Sequence, residues 1–331
     1  MIIPDLAIVI PAYKATYLFE ALQSLQKQTS QLFTVYIGDD NSPEDLKIIC
    51  DQFKGHISLD YHHFATNMGG TNLVQHWMRC VALKQNEKWI WLFSDDDIAE
   101  EYCVEKFYQA LEKTAACYDV YRFNTMVIDE KGTRISEAQP SPEIENPMNL
   151  ACEILLWNRG NSMPDHIFSA AKYAELNGFV DFAFAQGSDW ASSINYSYPK
   201  GLFTIGGPKV KWRMSSSNVS AVHTNKRTAM MMGHLQFLEW ILQRFSTGDQ
   251  SSFGIQLSRI RSAALHNLEA VFRRHYRGVP FADFLKVVKR TSEVFNISQL
   301  AAFRICAEIN YRVYRPKFRA AVKRLIIPAK A

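Results

Sequence analysis

The chain reads as an α/β protein, with a mostly parallel, Rossmann-like sheet flanked by helices and followed by a C-terminal helical region. Three observations predict this. Short branched apolar runs alternate with helical stretches through the first two thirds of the sequence. Three of those runs open into polar or acidic residues, at the strand ends where open α/β sheets gather their ligands. Beyond residue 222 the pattern turns helical and the charge reverses. Residues 1–222 hold 18 Lys and Arg against 27 Asp and Glu, whereas residues 223–331 hold 19 against 6.

The first run, Leu6-Ala7-Ile8-Val9-Ile10, predicts a central strand stopped by Pro11-Ala12-Tyr13-Lys14. A helix follows, with Leu18, Leu22 and Leu25 on one face. Phe33-Thr34-Val35-Tyr36-Ile37 is a second strand, opening into Gly38-Asp39-Asp40-Asn41-Ser42, where Asn and Ser can cap the next helix. Ile57 to Tyr61 is a weaker third strand. The loop Ala65 to Asn72 contains Gly69 and Gly70, which permit close backbone approach, and leads into a helix through about Leu83.

Trp89-Ile90-Trp91-Leu92-Phe93 then runs into Ser94-Asp95-Asp96-Asp97-Ile98. An apolar run of this length fits a strand buried on both faces, so the acids fall where it leaves the sheet. Adjacent carboxylates repel unless a cation or donor groups offset them, and hard oxygen ligands suit Mg²⁺ or Mn²⁺. A solvated acidic turn before a helix is the blander alternative. Tyr102 to Leu111 predicts a helix, Tyr118 to Ile128 a strand, and Pro140 to Pro147 a surface loop. Asp165 to Phe168 is a short strand and Lys172 to Leu176 a helix. Gln186 to Ile194 places Asp189 at a helix start, where capping would also explain an acid. Lys209 to Met214 alternates as a strand, followed by the polar loop Ser215 to Asn218.

No apolar run is long enough to span a bilayer, and the first residues lack the basic leader of a signal peptide. The six cysteines are scattered without ligand spacing, which suits a reduced cytoplasmic protein. Helical spacing covers residues near 228–246, 253–275, 281–292 and 296–314. Lys317 to Ile327 sets Phe318, Val322 and Leu325 on one face and Arg319, Lys323 and Arg324 largely elsewhere, the pattern of a helix lying on an anionic membrane surface. Packing on its own domain, or a homodimer contact, would use the same apolar faces.

The order of these pieces resembles the inverting family 2 glycosyltransferases with a GT-A fold, of the bacterial surface-polysaccharide type. The matching stretches are Ile8 to Tyr13, Gly38 to Ser42, Asn67 to Gly70, Leu92 to Ile98, Ser188-Asp189-Trp190 and Trp212 to Ser220. The resemblance divides the chain into a GT-A domain over residues 1–222 and a basic helical region over 223–331. It implies a nucleotide-sugar donor, most simply a UDP-sugar, held by Pro11, Ala12, Tyr13, Asp40, Asn67 and Asp95. It also implies a divalent cation, Mn²⁺ or Mg²⁺, on an Asp-x-Asp signature. Asp95 and Asp97 meet that spacing literally, whereas aligning on Ile98 selects Ser94 and Asp96; Asp96 is favoured as the principal ligand and Asp97 as the second. Asp189 would be the catalytic base, with Ser188 where many relatives carry Glu.

The chemistry needs these residue types in any case. Displacing a nucleoside diphosphate builds charge that a metal held by carboxylates offsets, and a hydroxyl acceptor needs a positioned base. One in-line attack inverts the anomeric centre, so no second carboxylate nucleophile is required. The implied acceptor is a glycan or lipid-linked oligosaccharide, used at the inner face of the cell membrane. Two other readings compete. A metal-dependent nucleotidyltransferase would carry a glycine-rich basic loop after the first strand, which Pro11 to Lys14 does not supply. A nucleic-acid binder would interleave aromatic and basic residues on an exposed platform, whereas here the aromatics follow the apolar helix faces, so no nucleic acid is expected.

Overall fold

The computed structural model describes residues 5–215, 226–246, 257–275 and 281–308. The first half alternates strand and helix: β1 (Leu6–Ala12), α1 (Leu18–Gln26), β2 (Phe33–Asp39), α2 (Leu46–Asp51), β3 (Leu59–His63), α3 (Leu73–Val81) and β4 (Trp89–Leu92). Then come β5 (Ile98–Ala99), α4 (Cys103–Lys113), β6 (Val120–Ile128), β7 (Arg134–Glu137), β8 (Ile144–Glu145) and α5 (Pro147–Leu155). The catalytic-size body closes with β9 (His166–Ser169), α6 (Ala170–Glu175), α7 (Ser188–Ser197) and β10 (Leu202–Arg213). Three longer helices follow: α8 (Arg227–Arg244), α9 (Leu257–His275) and α10 (Phe281–Phe295), and residues 299–308 are helical too.

Among the described residues the strands form one sheet in the order β3-β2-β1-β4-β9-β6-β10-β5, with β7 beside β6 and β8 beside β10. β3, β2, β1 and β4 are parallel, as their strand-helix rhythm requires, and β6 and β10 are parallel to each other. The short β9 runs antiparallel between β4 and β6, so the sheet is mixed at its centre. From β1 the chain steps to one side for β2 and β3 and then returns to the other side for β4. That reversal puts a crevice at the carboxyl ends of β1 and β4.

Alternation along β1 feeds two cores. Leu6, Ile8 and Ile10 pack with α1, α2 and α4, including Leu18, Leu22 and Leu25 from the expected face of α1. Ala7 and Val9 turn to the opposite layer, shared with α3, α5, α7 and the C-terminal helices. Pro11 does not stop β1, which continues in register with β2 through Ala12 against Asp39. Ladder bonds from Val9 go to the β4 side and those from Ala12 to the β2 side, so the nitrogen of Pro11 faces β4. Phe93 N–H donates to the Val9 carbonyl, and the β1–β4 ladder ends there because Pro11 has no N–H to continue it.

The C-terminal helices are built into the body. Leu235, Phe237, Leu238, Ile260 and Leu268 share a core with Ile154, Leu155, Ala191 and Ile194. His234 Nε2 meets Asn267 Oδ1 at 2.6 Å, and Asn267 Nδ2 donates to the carbonyl of Leu155 at 3.0 Å. The proposed boundary near residue 222, the Ser216 to Ser220 stretch and the basic segment Lys317 to Ile327 lie outside the described residues. No helix among the described residues is long and apolar enough to cross a membrane.

Candidate active site

The four stretches singled out at strand ends come together on one edge of the sheet. Asp95 Oδ2 accepts the backbone N–H groups of Tyr13 and Lys14 at 2.9 and 3.1 Å, fastening the loop after β1 to the end of β4. Ser42 Oγ donates to the carbonyl of Tyr13 at 2.7 Å, which ties in the loop after β2. Pro11 is half-buried, Ala12 buried and Tyr13 exposed, so an aromatic ring stands at the rim of this edge.

Asp40 is buried and holds the glycine loop. Its Oδ1 accepts from Met68 N at 2.7 Å and from the Arg79 guanidinium, and its Oδ2 accepts from Gly69 N at 2.8 Å. Any hydrogen bond to a nucleotide base comes on top of these. Gly69 is glycine because a Cβ there would sit 2.7 Å from Asp40 Oδ2. Asn67 is exposed and accepts Gly70 N–H at 2.8 Å, which closes the turn. The neighbouring Asp39 is engaged too, by Ser42 N, the Tyr61 hydroxyl and His63.

The acid triplet divides its work. Asp95 holds the loop after β1. Asp97 is buried, and its Oδ1 accepts Arg213 N at 2.7 Å, anchoring the end of β10. Asp96, between them, is half-buried and accepts from Ser94 Oγ. Burial and the negative charge of Asp96 raise the proton affinity of both outer acids, Asp95 to about 6 and Asp97 well above the usual carboxylate range. Arg213 is fully buried and staples the region: Nε donates to the Asp96 carbonyl, Nη1 to the carbonyls of Asp129 and Glu130, and Nη2 to Glu20. Reading the sequence as a strand end gave Arg213 no such role, because its partners lie about 80 to 190 residues away in the chain.

Among the described residues no group of three or more His, Cys, Asp or Glu side chains is disposed to hold a metal ion. Two adjacent carboxylates with hard oxygen donors still fit Mg²⁺ or Mn²⁺, which keep waters and share a carboxylate with substrate phosphates. Asp96 and Asp97 are the donors the chain offers for that arrangement.

Asp189 is the second residue of α7, and the cap position belongs to Gly187, whose φ is +79°. The carboxylate of Asp189 accepts Trp190 N–H at 2.9 Å. Burial, helped by the charge of Asp165, pushes its pKa up to about 7 against the opposing hydrogen bond from Trp190. The charge of the same Asp165 also raises Asp97.

Asp165 and His166 were read only as the start of a strand. Both are fully buried. Asp165 Oδ1 accepts Ser162 N and Oγ and lies 3.0 Å from His166 Nδ1, and Oδ2 accepts the Thr125 hydroxyl at 2.7 Å. Burial would raise its pKa, but the histidine and these donors outweigh it and hold the carboxyl below its ordinary value. His166 Nε2 is buried with no hydrogen-bond partner. Register pairs His166 with Arg122, whose guanidinium joins Arg159 on the buried Glu145. The signal available in sequence was a pair of ionisable residues opening an otherwise apolar strand.

A rim of aromatic residues borders Asp189. The Trp190 indole N–H donates to the Asn161 carbonyl at 3.0 Å. Its ring meets Trp157 edge to face at 5.4 Å and Phe237 of α8 at 5.6 Å. Trp157 follows the last turn of α5 with φ +63°, where its N–H donates to the Ile154 carbonyl and that of Asn158 to the Glu153 carbonyl. This closure favours glycine, and a side chain there costs about 1–2 kcal/mol.

Residues 7–158 match the model of Glycosyl transferase family 2. No curated protein matches the chain. Among solved structures, S. aureus TarS superposes with a TM-score of 0.62 at 12% identity, covering 92% of this chain and 52% of that one. The chain therefore spans about half the length of that TarS structure. TarS 1-349 in complex with UDP-GlcNAc gives 0.58 at 13% identity, covering 93% of this chain and 91% of that one. TarS 1-349 in complex with UDP gives 0.52 at 13% identity, over 95% and 91%. At these identities the likeness speaks for the fold. Residues 7–158, a little under half of the chain, match glycosyl transferase family 2, and the chain is similar in fold to the TarS structures.

Proposed function

We propose that the chain transfers a hexose from a UDP-sugar, with inversion, to a hydroxyl of a glycan or lipid-linked oligosaccharide in bacterial surface-polysaccharide synthesis. The observation that carries this reading is Asp189: one carboxylate in the first turn of α7 whose burial pushes its pKa up to about 7. A general base works best when its pKa lies near the working pH.

In this scheme Pro11, Ala12, Tyr13, Asp40 and Asn67 form the nucleotide side, and Asp95 keeps the loop after β1 in place beside the ribose. Asp96 and Asp97 would hold a divalent cation, which would supply charge neutralisation for the departing nucleoside diphosphate. Asp189 takes the proton from the acceptor hydroxyl as its oxygen attacks C1. The bond from C1 to the diphosphate oxygen breaks, the new glycosidic bond forms on the opposite face, and the proton stays on Asp189. The UDP choice is supported by the two TarS complexes, whose ligands are UDP-GlcNAc and UDP. The basic residues 223–331 support a peripheral position on the cytoplasmic face of an anionic membrane, where lipid-linked acceptors are presented.

The deciding experiment is thermal stability of the full chain with UDP, GDP, dTDP and CMP, each with Mn²⁺ and again with EDTA. A ligand that binds only the folded state raises the melting temperature. UDP is expected to stabilise, and more with Mn²⁺ than with EDTA. A shift with another nucleotide alone would change the donor, and no shift with any would overturn the reading.

A further inference from the structure

We propose that Trp157 is the stacking platform for a sugar ring of the acceptor, so that the acceptor is recognised as a saccharide and not only as a hydroxyl. The inference rests on the role given above to Asp189. Whatever hydroxyl Asp189 deprotonates must enter beside it, and the Trp190 backbone is bonded to that carboxylate. The Trp190 ring is in turn met edge to face by Trp157. Trp157 is 43% exposed, so the indole that ends this chain of contacts is open to solvent.

Its backbone conformation is the second observation. Glycine suits the left-handed position that ends α5, and the sequence places its largest side chain there instead. Strain of this kind in a non-glycine residue gathers at ligand sites, and here it fixes an exposed aromatic plane against Trp190, the residue after the proposed base. Asn161 binds Trp190 through its carbonyl and Ser193 through Oδ1, which holds the ring that Trp157 meets. An exposed indole face of this kind suits a pyranose, whose axial C–H groups lie on aromatic faces.

The test uses the full chain loaded with UDP and Mn²⁺, binding of UDP being established first by thermal shift. Hexyl β-D-glucopyranoside and hexyl β-D-galactopyranoside are titrated against tryptophan fluorescence, with 1,2-hexanediol as a probe that has hydroxyls and no ring. At least one glycoside should give a saturable change that the diol does not. Trp157→Gly should weaken that glycoside about tenfold while leaving UDP binding unchanged and the melting temperature no lower than wild type. Trp157→Phe should restore most of the affinity. A Gly variant that binds the glycoside as well as wild type would overturn the proposal, as would equal binding of diol and glycoside or no binding of either glycoside. A Gly variant that melts lower and binds normally would make Trp157 a packing residue. Failure of UDP to bind is read before any sugar is added; it would remove the donor reading, and with it the proposal.

Discussion

At the scale of single residues, Asp189 carries the most specific expectations. Asp189→Asn should retain UDP binding and lose transfer by a factor of about 10² to 10⁴, read as initial rate at saturating donor. Activity of the wild type should rise with pH through about 7 as the carboxylate ionises. Stability runs the other way. The folded-state pKa lies above the unfolded value, so the contribution from protonated Asp189 is complete below pH 4 and lost as pH rises through 7. Asp189→Asn, which stays neutral, should therefore melt higher than wild type at pH 8, with a smaller difference at pH 5; the reverse order would show that burial does not penalise the charge. The sequence made Asp189 legible because an acid sat at a helix start in a matching motif. It did not distinguish a cap from a base; the structure gives the cap position to Gly187, and the base remains our proposal. Asp165 and His166 were illegible as a site, since the distant partner Thr125 is brought to Asp165 only by the pairing of β9 with β6.

At the scale of elements, the glycine loop depends on one carboxylate. Asp40→Ala removes the acceptor for Met68 N, Gly69 N and Arg79 together, and breaking such a buried pair costs about 3 kcal/mol. Chemical denaturation should show a loss of that order, and UDP affinity should fall with it. Donor affinity equal to wild type would separate the loop from the nucleotide side. Elements with a clean period were read correctly: β1, β2, β4, α1 and α4 lie where the apolar pattern put them. Others were hidden by local chemistry. Only the last third of β10 was evident, because Gly206-Gly207-Pro208 interrupts the alternation and the ladder to β6 shifts register between Ile205 and Lys209. α5 had no assignment, since the loop was read through Pro147; Pro147 in fact occupies the helix's first turn, where proline is tolerated, and Asn146 caps it through Asn149 N–H.

At the scale of the whole molecule, the C-terminal helices form part of the fold. Truncation after residue 215 would expose Ala191, Ile194, Ile154 and the Trp190 ring, all of which now pack against α8 or α9 or share their core. Such a chain should be insoluble or lack a cooperative thermal transition, and a soluble, cooperatively melting product would refute the shared core. Deletion of residues 316–331 is a different matter: it should leave transfer to a soluble acceptor intact and reduce sedimentation with anionic liposomes. Unchanged sedimentation would reject the membrane role. The division of charge between the body and its last third was plain in the sequence, whereas the way both share one core was not, because composition carries no information about which apolar faces meet.

Trp190 has a consequence of its own. One face of its contacts belongs to the loop after α5, another to Phe237 and His234 of α8, and its backbone to Asp189. The residue beside the proposed base is thus clamped by two segments well apart in the chain, the loop after α5 and α8. The seating of Asp189 is thereby tied to the docking of α8, so whatever loosens that helix from the body reaches the proposed base through Trp190.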